Sequence, residues 1–109
     1  MSALVVFCTF PDEASAASAA RRLVEEYLAA CVSRVPGLAS TYRWDEAVHE
    51  DAEVLLVIKT THDRFEALRE RLLEVHPYEL PEIIAVEVRA GHVPYLDWIA
   101  SSTRVDRSP

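Results

Sequence analysis

Two short segments, Ala3-Leu-Val-Val-Phe-Cys-Thr9 and Val54-Leu-Leu-Val-Ile58, are apolar almost without interruption. Each is too short for a buried helix and rich in β-branched or aromatic residues, so each reads as a strand with both faces withdrawn from water. The chain supplies little to cover them. Ala16, Ala20, Leu23 and Tyr27, widened by Val24 and Leu28, form one helical stripe, and Phe65, Leu68, Leu72 and Val75 form another. Two helices cover one face of a small sheet. The other face would be a large exposed apolar patch, which monomers rarely carry. Association with further copies of the chain is therefore expected from patterning alone.

The remaining elements follow from local signals. Pro11-Asp12-Glu13 opens the first helix, with acids at its positive end, and the pattern runs to about Ala30. Cys31 to Trp44 reads as extended, with a bulge or bend at Pro36-Gly37. Asp45-Glu46-Ala47 is the turn into a second long strand, Val48 to Thr60. The resulting hairpin has strands of about 13 residues, well beyond the usual length of about six. Asp63, with Glu66 three residues on, has the spacing of a capping box for the second helix. Pro77 stops that helix after His76, and His76 to Glu82 is a loop stiffened by two prolines. Ile83 to Val88 is a fourth strand, Pro94 precedes a short helix from Tyr95 to about Ser102, and the polar tail to Pro109 is expected to fray. The order β-α-β-β-α-β plus a terminal helix predicts one α+β domain, a ferredoxin-like sandwich with strand order 4-1-3-2 and a long hairpin between strands two and three.

Several classes are excluded. With 11 basic against 18 acidic residues and a net charge of −7, the chain lacks the basic stripe of a nucleic-acid binder. It has only two glycines, Gly37 and Gly91, so no glycine-rich phosphate loop is possible. No run of 18 apolar residues points to a membrane. Ala3–Cys8 lacks the basic flank and small-residue site of a signal peptide, so a cytoplasmic location is expected. The two cysteines, Cys8 and Cys31, have neither CxxC nor zinc-finger spacing, as expected for free thiols in a reducing compartment.

Six short patterns recur together: Thr9-x-Pro-Asp12, Ala29-Ala-Cys-Val32, Ser40-x-Tyr-x-Trp44, Ile58-Lys-Thr60, His76-Pro-Tyr-x-x-Pro-Glu82 and Tyr95-x-x-Trp98. In this order and spacing, over about residues 4 to 100, the chain resembles the CutA divalent-cation tolerance family. The resemblance implies a ferredoxin-like subunit, a homotrimer with strands paired between subunits, binding of copper or another divalent cation, and a part in metal tolerance. It implies no enzymatic activity. Family members often carry Gly-Lys in the hairpin turn; Asp45-Glu46-Ala47 lacks that glycine, so a turn of another type or length is expected.

Candidate site residues fall into three groups. Thiolate suits Cu(I) and imidazole suits several metals, so Cys8, Cys31 and His76 are candidate metal ligands. Cys8 lies late in its strand and Cys31 early in a parallel one, so they should sit at opposite ends, and a shared ion would need a second subunit. Burial as structural thiols, and a capping role for His76, are the competing readings. Lys59, the only lysine, ends an apolar central strand, where a charge is costly unless paired or lining a cavity. In a family-like pocket between subunits its company would be Glu82, Tyr95 and Trp98. Tyr42 and Trp44, on one face of the hairpin, are candidate interface residues. Glu46, His49, Glu50, Asp51 and Glu53 crowd the hairpin and could collect a hard divalent cation through oxygen; the competing reading is a solvated arm that blunts edge pairing. The functional expectation is a trimeric metal-tolerance protein. The alternative is a PII-like sensor or regulatory adaptor holding a small ligand between subunits.

Overall fold

The computed structural model describes residues 2–104. Of the tail 103–109 expected to fray, Thr103 is instead buried and its hydroxyl donates to the Ile99 carbonyl at 2.9 Å, while 105–109 lie outside the described residues. The elements are β1 (Ala3–Phe10), α1 (Glu13–Glu25), β2 (Cys31–Trp44), β3 (Ala47–Thr61), α2 (Phe65–Val75), β4 (Ile84–Glu87) and α3 (Val93–Ser102). All strand pairings are antiparallel, in the order β2-β3-β1-β4. That is the expected order, with the two most apolar segments in the middle.

Alternation along the central strands divides their side chains between two faces. Val6, Cys8 and Phe10 of β1 and Val54, Leu56 and Ile58 of β3 face the helices. There they meet Ala16, Ala19, Ala20 and Leu23 of α1 and Leu68 and Leu72 of α2. The small residues of α1 let that helix lie close on the sheet. The opposite face carries Val5, Phe7, Leu55 and Val57, continued on β4 by Ile84 and Val86, which are 55% and 50% exposed. Helix α3 covers only its edge, where Ile99 packs on Ala3 and Ala30. Within one chain the rest of this face stays open, as the shortage of helices requires. No helix of the described residues is long and apolar enough to cross a membrane.

Three local expectations need correction. Helix α1 stops at Glu25, not near Ala30, because Tyr27 takes a left-handed conformation (φ 60°) and the amides of Leu28 and Ala29 turn back to the Leu23 carbonyl. This C-terminal turn normally favours glycine, so the sequence gives no stop signal. Asp63 does not cap α2. It lies in a 3-10 turn, His62–Arg64, and accepts the Thr61 hydroxyl at 2.6 Å, while Glu66 pairs with Arg69. The short side-chain bond competes with the cap for the same carboxylate. The hairpin turn keeps the common two-residue form despite lacking glycine: Trp44 pairs with Ala47, and Asp45 and Glu46 both have positive φ (52° and 62°), as a type I′ turn requires. The bulge at Pro36-Gly37 is present, as a register shift between Val35 and Leu38 with Gly37 at φ 78°. Beyond it the hairpin projects as an arm, giving a molecule of 51 × 27 × 22 Å.

Candidate functional site

The candidate metal ligands are not gathered within one chain. Cys8 is fully buried on the helix side of the sheet. Burial, aided by the charges of Glu82 and Glu53, pushes its thiol up to about 12, which disfavours the thiolate that a metal would need. Cys31 pairs with Lys59 in register and is half-buried on the other face, near Tyr95, whose pKa is raised by burial and then by Cys31. The two thiols are thus separated by a strand, by register and by the sheet itself.

His76 caps the C-terminus of α2, and both of its ring nitrogens are occupied. Nε2 lies 2.8 Å from the Thr9 carbonyl and therefore donates; Nδ1 accepts the Tyr78 amide at 3.0 Å. The ring also stacks on Phe10, with centroids 4.1 Å apart. This is one neutral tautomer with no lone pair free for a metal. Burial holds its pKa below the ordinary value, against the opposing pull of the Thr9 carbonyl and Glu53. Among the described residues no group of three or more His, Cys, Asp or Glu side chains is arranged to hold an ion.

Lys59 lies on the open face. Its ammonium donates to Ser33 Oγ at 3.0 Å and reaches the Val57 carbonyl at 3.5 Å. Tyr95, beside Cys31, is at this end of the face, with Trp98 at 5.5 Å between ring centroids. Glu82 is not. It borders a cleft that also contains Glu53, and Glu53 precedes Lys59 by six residues along β3, about 20 Å of strand. The expected quartet is therefore split within one chain, and only a second copy could bring Glu82 to Lys59.

That cleft, about 510 Å³, lies between the arm and the loop after α2. The arm contributes Tyr42, Trp44 and Glu53; the loop contributes Tyr78, Glu79 and Glu82. The Tyr78 hydroxyl donates to Glu53 Oε2 at 2.6 Å, tying loop to arm, and the Tyr42 hydroxyl donates to Asp51. Burial, then the Glu53 bond, raises the Tyr78 pKa; the Asp51 bond raises that of Tyr42. His76 positions the loop by holding the Tyr78 amide. Tyr42 and Trp44, each 42% exposed, are left open by the chain itself. Sequence reasoning counted Glu53 only among the acids of the arm and did not single out Tyr78 as a site residue. Tyr78 stood in the His-Pro-Tyr pattern, but its partner is 25 residues away across the fold.

A four-stranded antiparallel sheet with helices on one face, one end of its open face polar and an acidic cleft at the other, defines a small α+β protein. The chain belongs to the CutA divalent-cation tolerance family: the family model described as CutA1 divalent ion tolerance protein matches residues 4–102. A divalent-cation tolerance protein CutA of Thermus thermophilus is 50% identical over 99 residues, covering 91% of this chain and 96% of that one. A chloroplastic CutA 1 of Oryza sativa is 42% identical over 93% of this chain, which spans only 57% of that longer relative. A solved structure of a Thermus thermophilus divalent cation tolerance protein superposes with a TM-score of 0.92 at 49% identity, covering 94% of this chain and 99% of that one.

Proposed function

We propose that this chain works in divalent-cation tolerance as a homotrimer that takes up copper or another divalent cation at a site completed between copies. The open apolar face of the sheet carries this reading. Val5, Phe7, Leu55, Val57, Ile84 and Val86 line a surface that one chain cannot cover, and a second copy supplies both apolar area and strand edges. A metal site shared between copies is consistent with the dispersed ligands of a single chain. Cys31 is the thiol placed to contribute, because it is partly exposed on the open face, whereas Cys8 is sealed in the core. The unpaired thiols favour a reducing, cytoplasmic location, and no catalytic role is assigned.

Sedimentation equilibrium at micromolar concentration should give three times the mass of 12.3 kDa. Calorimetry with Cu(II) should show saturable binding, weakened by Cys31→Ser. A 12.3 kDa species would refute the assembly, and the absence of saturable copper, zinc or nickel binding would refute the metal site.

One observation favours a second reading, a regulatory adaptor that binds an anionic metabolite between copies. Lys59 is a half-buried ammonium with no carboxylate partner among the described residues, set beside Ser33 on the face that copies would share. Small carboxylates should then raise the melting temperature, and Lys59→Ala should abolish the rise. A shift that survives Lys59→Ala would reject it.

A further inference from the structure

His76 links α2 to the sheet and to the arm through bonds made inside one chain. Its imidazole stacks on Phe10 of β1 with centroids 4.1 Å apart, which fixes the plane of the ring. In that plane Nε2 donates to the Thr9 carbonyl at 2.8 Å and Nδ1 accepts the Tyr78 amide at 3.0 Å. The Tyr78 hydroxyl in turn donates to Glu53 of β3 at 2.6 Å. One side chain thus holds the loop after α2, and that loop holds the arm. None of these bonds needs a free surface.

The two ring bonds respond oppositely to a proton. A proton added at Nδ1 turns the ring's one acceptor into a donor. It then faces the Tyr78 N–H, donor against donor, and that bond is lost. The Nε2 bond to Thr9 becomes charge-assisted and strengthens. The C-terminal end of α2, where His76 sits, also favours the cation. The ring therefore stays on β1 and the loop moves. From β3, Glu53 acts on the ring and favours protonation, while burial opposes it. From β1, Cys8 stays a neutral thiol; on α2, Arg71 and Glu74 pair with each other. In the loop, Tyr78 stays a neutral phenol and Glu79 and Glu82 line the cleft. We propose that His76 is an acid-operated latch: protonation at Nδ1 releases the Tyr78 amide, breaks the tie from Tyr78 to Glu53 and frees residues 77–82 from the arm.

The test is nuclear magnetic resonance of the full chain across a pH series. The ring nitrogens of His76 should show a bare Nδ1 and a protonated Nε2 above about pH 6.5, and two protonated nitrogens once the pH has fallen through the folded-state value. Over the same step the exchange protection of the Tyr78 amide, corrected for intrinsic exchange, should fall roughly tenfold, as for the loss of one hydrogen bond. Protection of Leu56 in the core should not change. His76→Gln, which can offer a donor to Thr9 and an acceptor to Tyr78 without titrating, should keep the Tyr78 amide protected throughout. Tyr78→Phe keeps that amide but removes the tie to Glu53, so exchange near Glu53 should lose its pH response. A Tyr78 amide that stays protected beside a doubly protonated His76 would overturn the proposal, as would an equal loss of protection in His76→Gln. The first of these is read on the unaltered chain, so a variant that fails to fold does not remove the test. Sedimentation and copper calorimetry read the assembly and the metal site separately, so those readings and the latch can each fail alone.

Discussion

Replacing Glu46 by glycine should stabilise the protein. Asp45 and Glu46 are consecutive non-glycine residues at positive φ in the two-residue turn of the arm. An L-residue held in this region costs roughly 1–2 kcal/mol, because its Cβ crowds the neighbouring carbonyl oxygen. Glycine removes that strain but adds about 0.5–1 kcal/mol of unfolded-state entropy. The net gain for Glu46→Gly is therefore about 0.5–1 kcal/mol, a rise of roughly 2–8 °C in melting temperature for a domain of this size. Calorimetry at fixed chain concentration measures it, since the proposed assembly would make the midpoint concentration-dependent. Glu46→Ala is the control. It removes the carboxylate, and with it any repulsion among the arm's acids, but keeps the Cβ. If alanine stabilises as much as glycine, the cause is charge and the backbone argument is wrong. If glycine lowers the melting temperature, the strain was never stored at this turn. Should the arm unzip separately from the core, the gain appears instead as slower amide exchange near the turn, with the main transition unmoved.

Leu56, fully buried at the centre of β3, should lose about 3–5 kcal/mol on change to alanine, read from urea unfolding, since β1 and both helices hold the cavity open. His76 is held neutral with a lowered pKa, so its contribution to stability is fully present above about pH 6.5 and is lost as the pH falls through the folded-state value. His76→Gln, which can keep the donor to the Thr9 carbonyl without titrating, should flatten the stability profile in that window; an unchanged slope would place the titration elsewhere. Asp12 accepts the Ser15 amide at 2.8 Å and its carboxyl is held below the usual range chiefly by that bond. Asp12→Ala should therefore lower the melting temperature at neutral pH, and the difference should vanish once the pH has fallen through the folded-state value of Asp12.

Much of the fold was legible because burial and periodicity determined it together. Ala3–Thr9 and Val54–Ile58 could hardly be anything but central strands, and the bulge was marked by Pro36-Gly37. The helix ends were harder, because they depended on single backbone conformations. Tyr27 does the work of a C-terminal glycine, and Asp63 was diverted by a neighbouring threonine hydroxyl. The turn was misread because tertiary pairing of two long strands holds Asp45 and Glu46 in a conformation their own preferences oppose. Which candidate residues lie near one another was not legible. His76, Tyr42, Trp44 and Glu82 were singled out, yet the bonds that define the cleft, Tyr78 to Glu53 and His76 to Thr9, join residues far apart in sequence. No periodicity reports such pairs.

The placement of the two thiols on opposite sides of one sheet makes the chain its own reporter. If copies assemble as proposed, an alkylating reagent should reach Cys31 whenever the open face is uncovered, so its labelling rate would measure their dissociation. Cys8 should react only when β1 parts from the helices, so its rate measures opening of the core. A mass spectrum taken at intervals would then separate loss of assembly from loss of fold in a single sample, with no added probe.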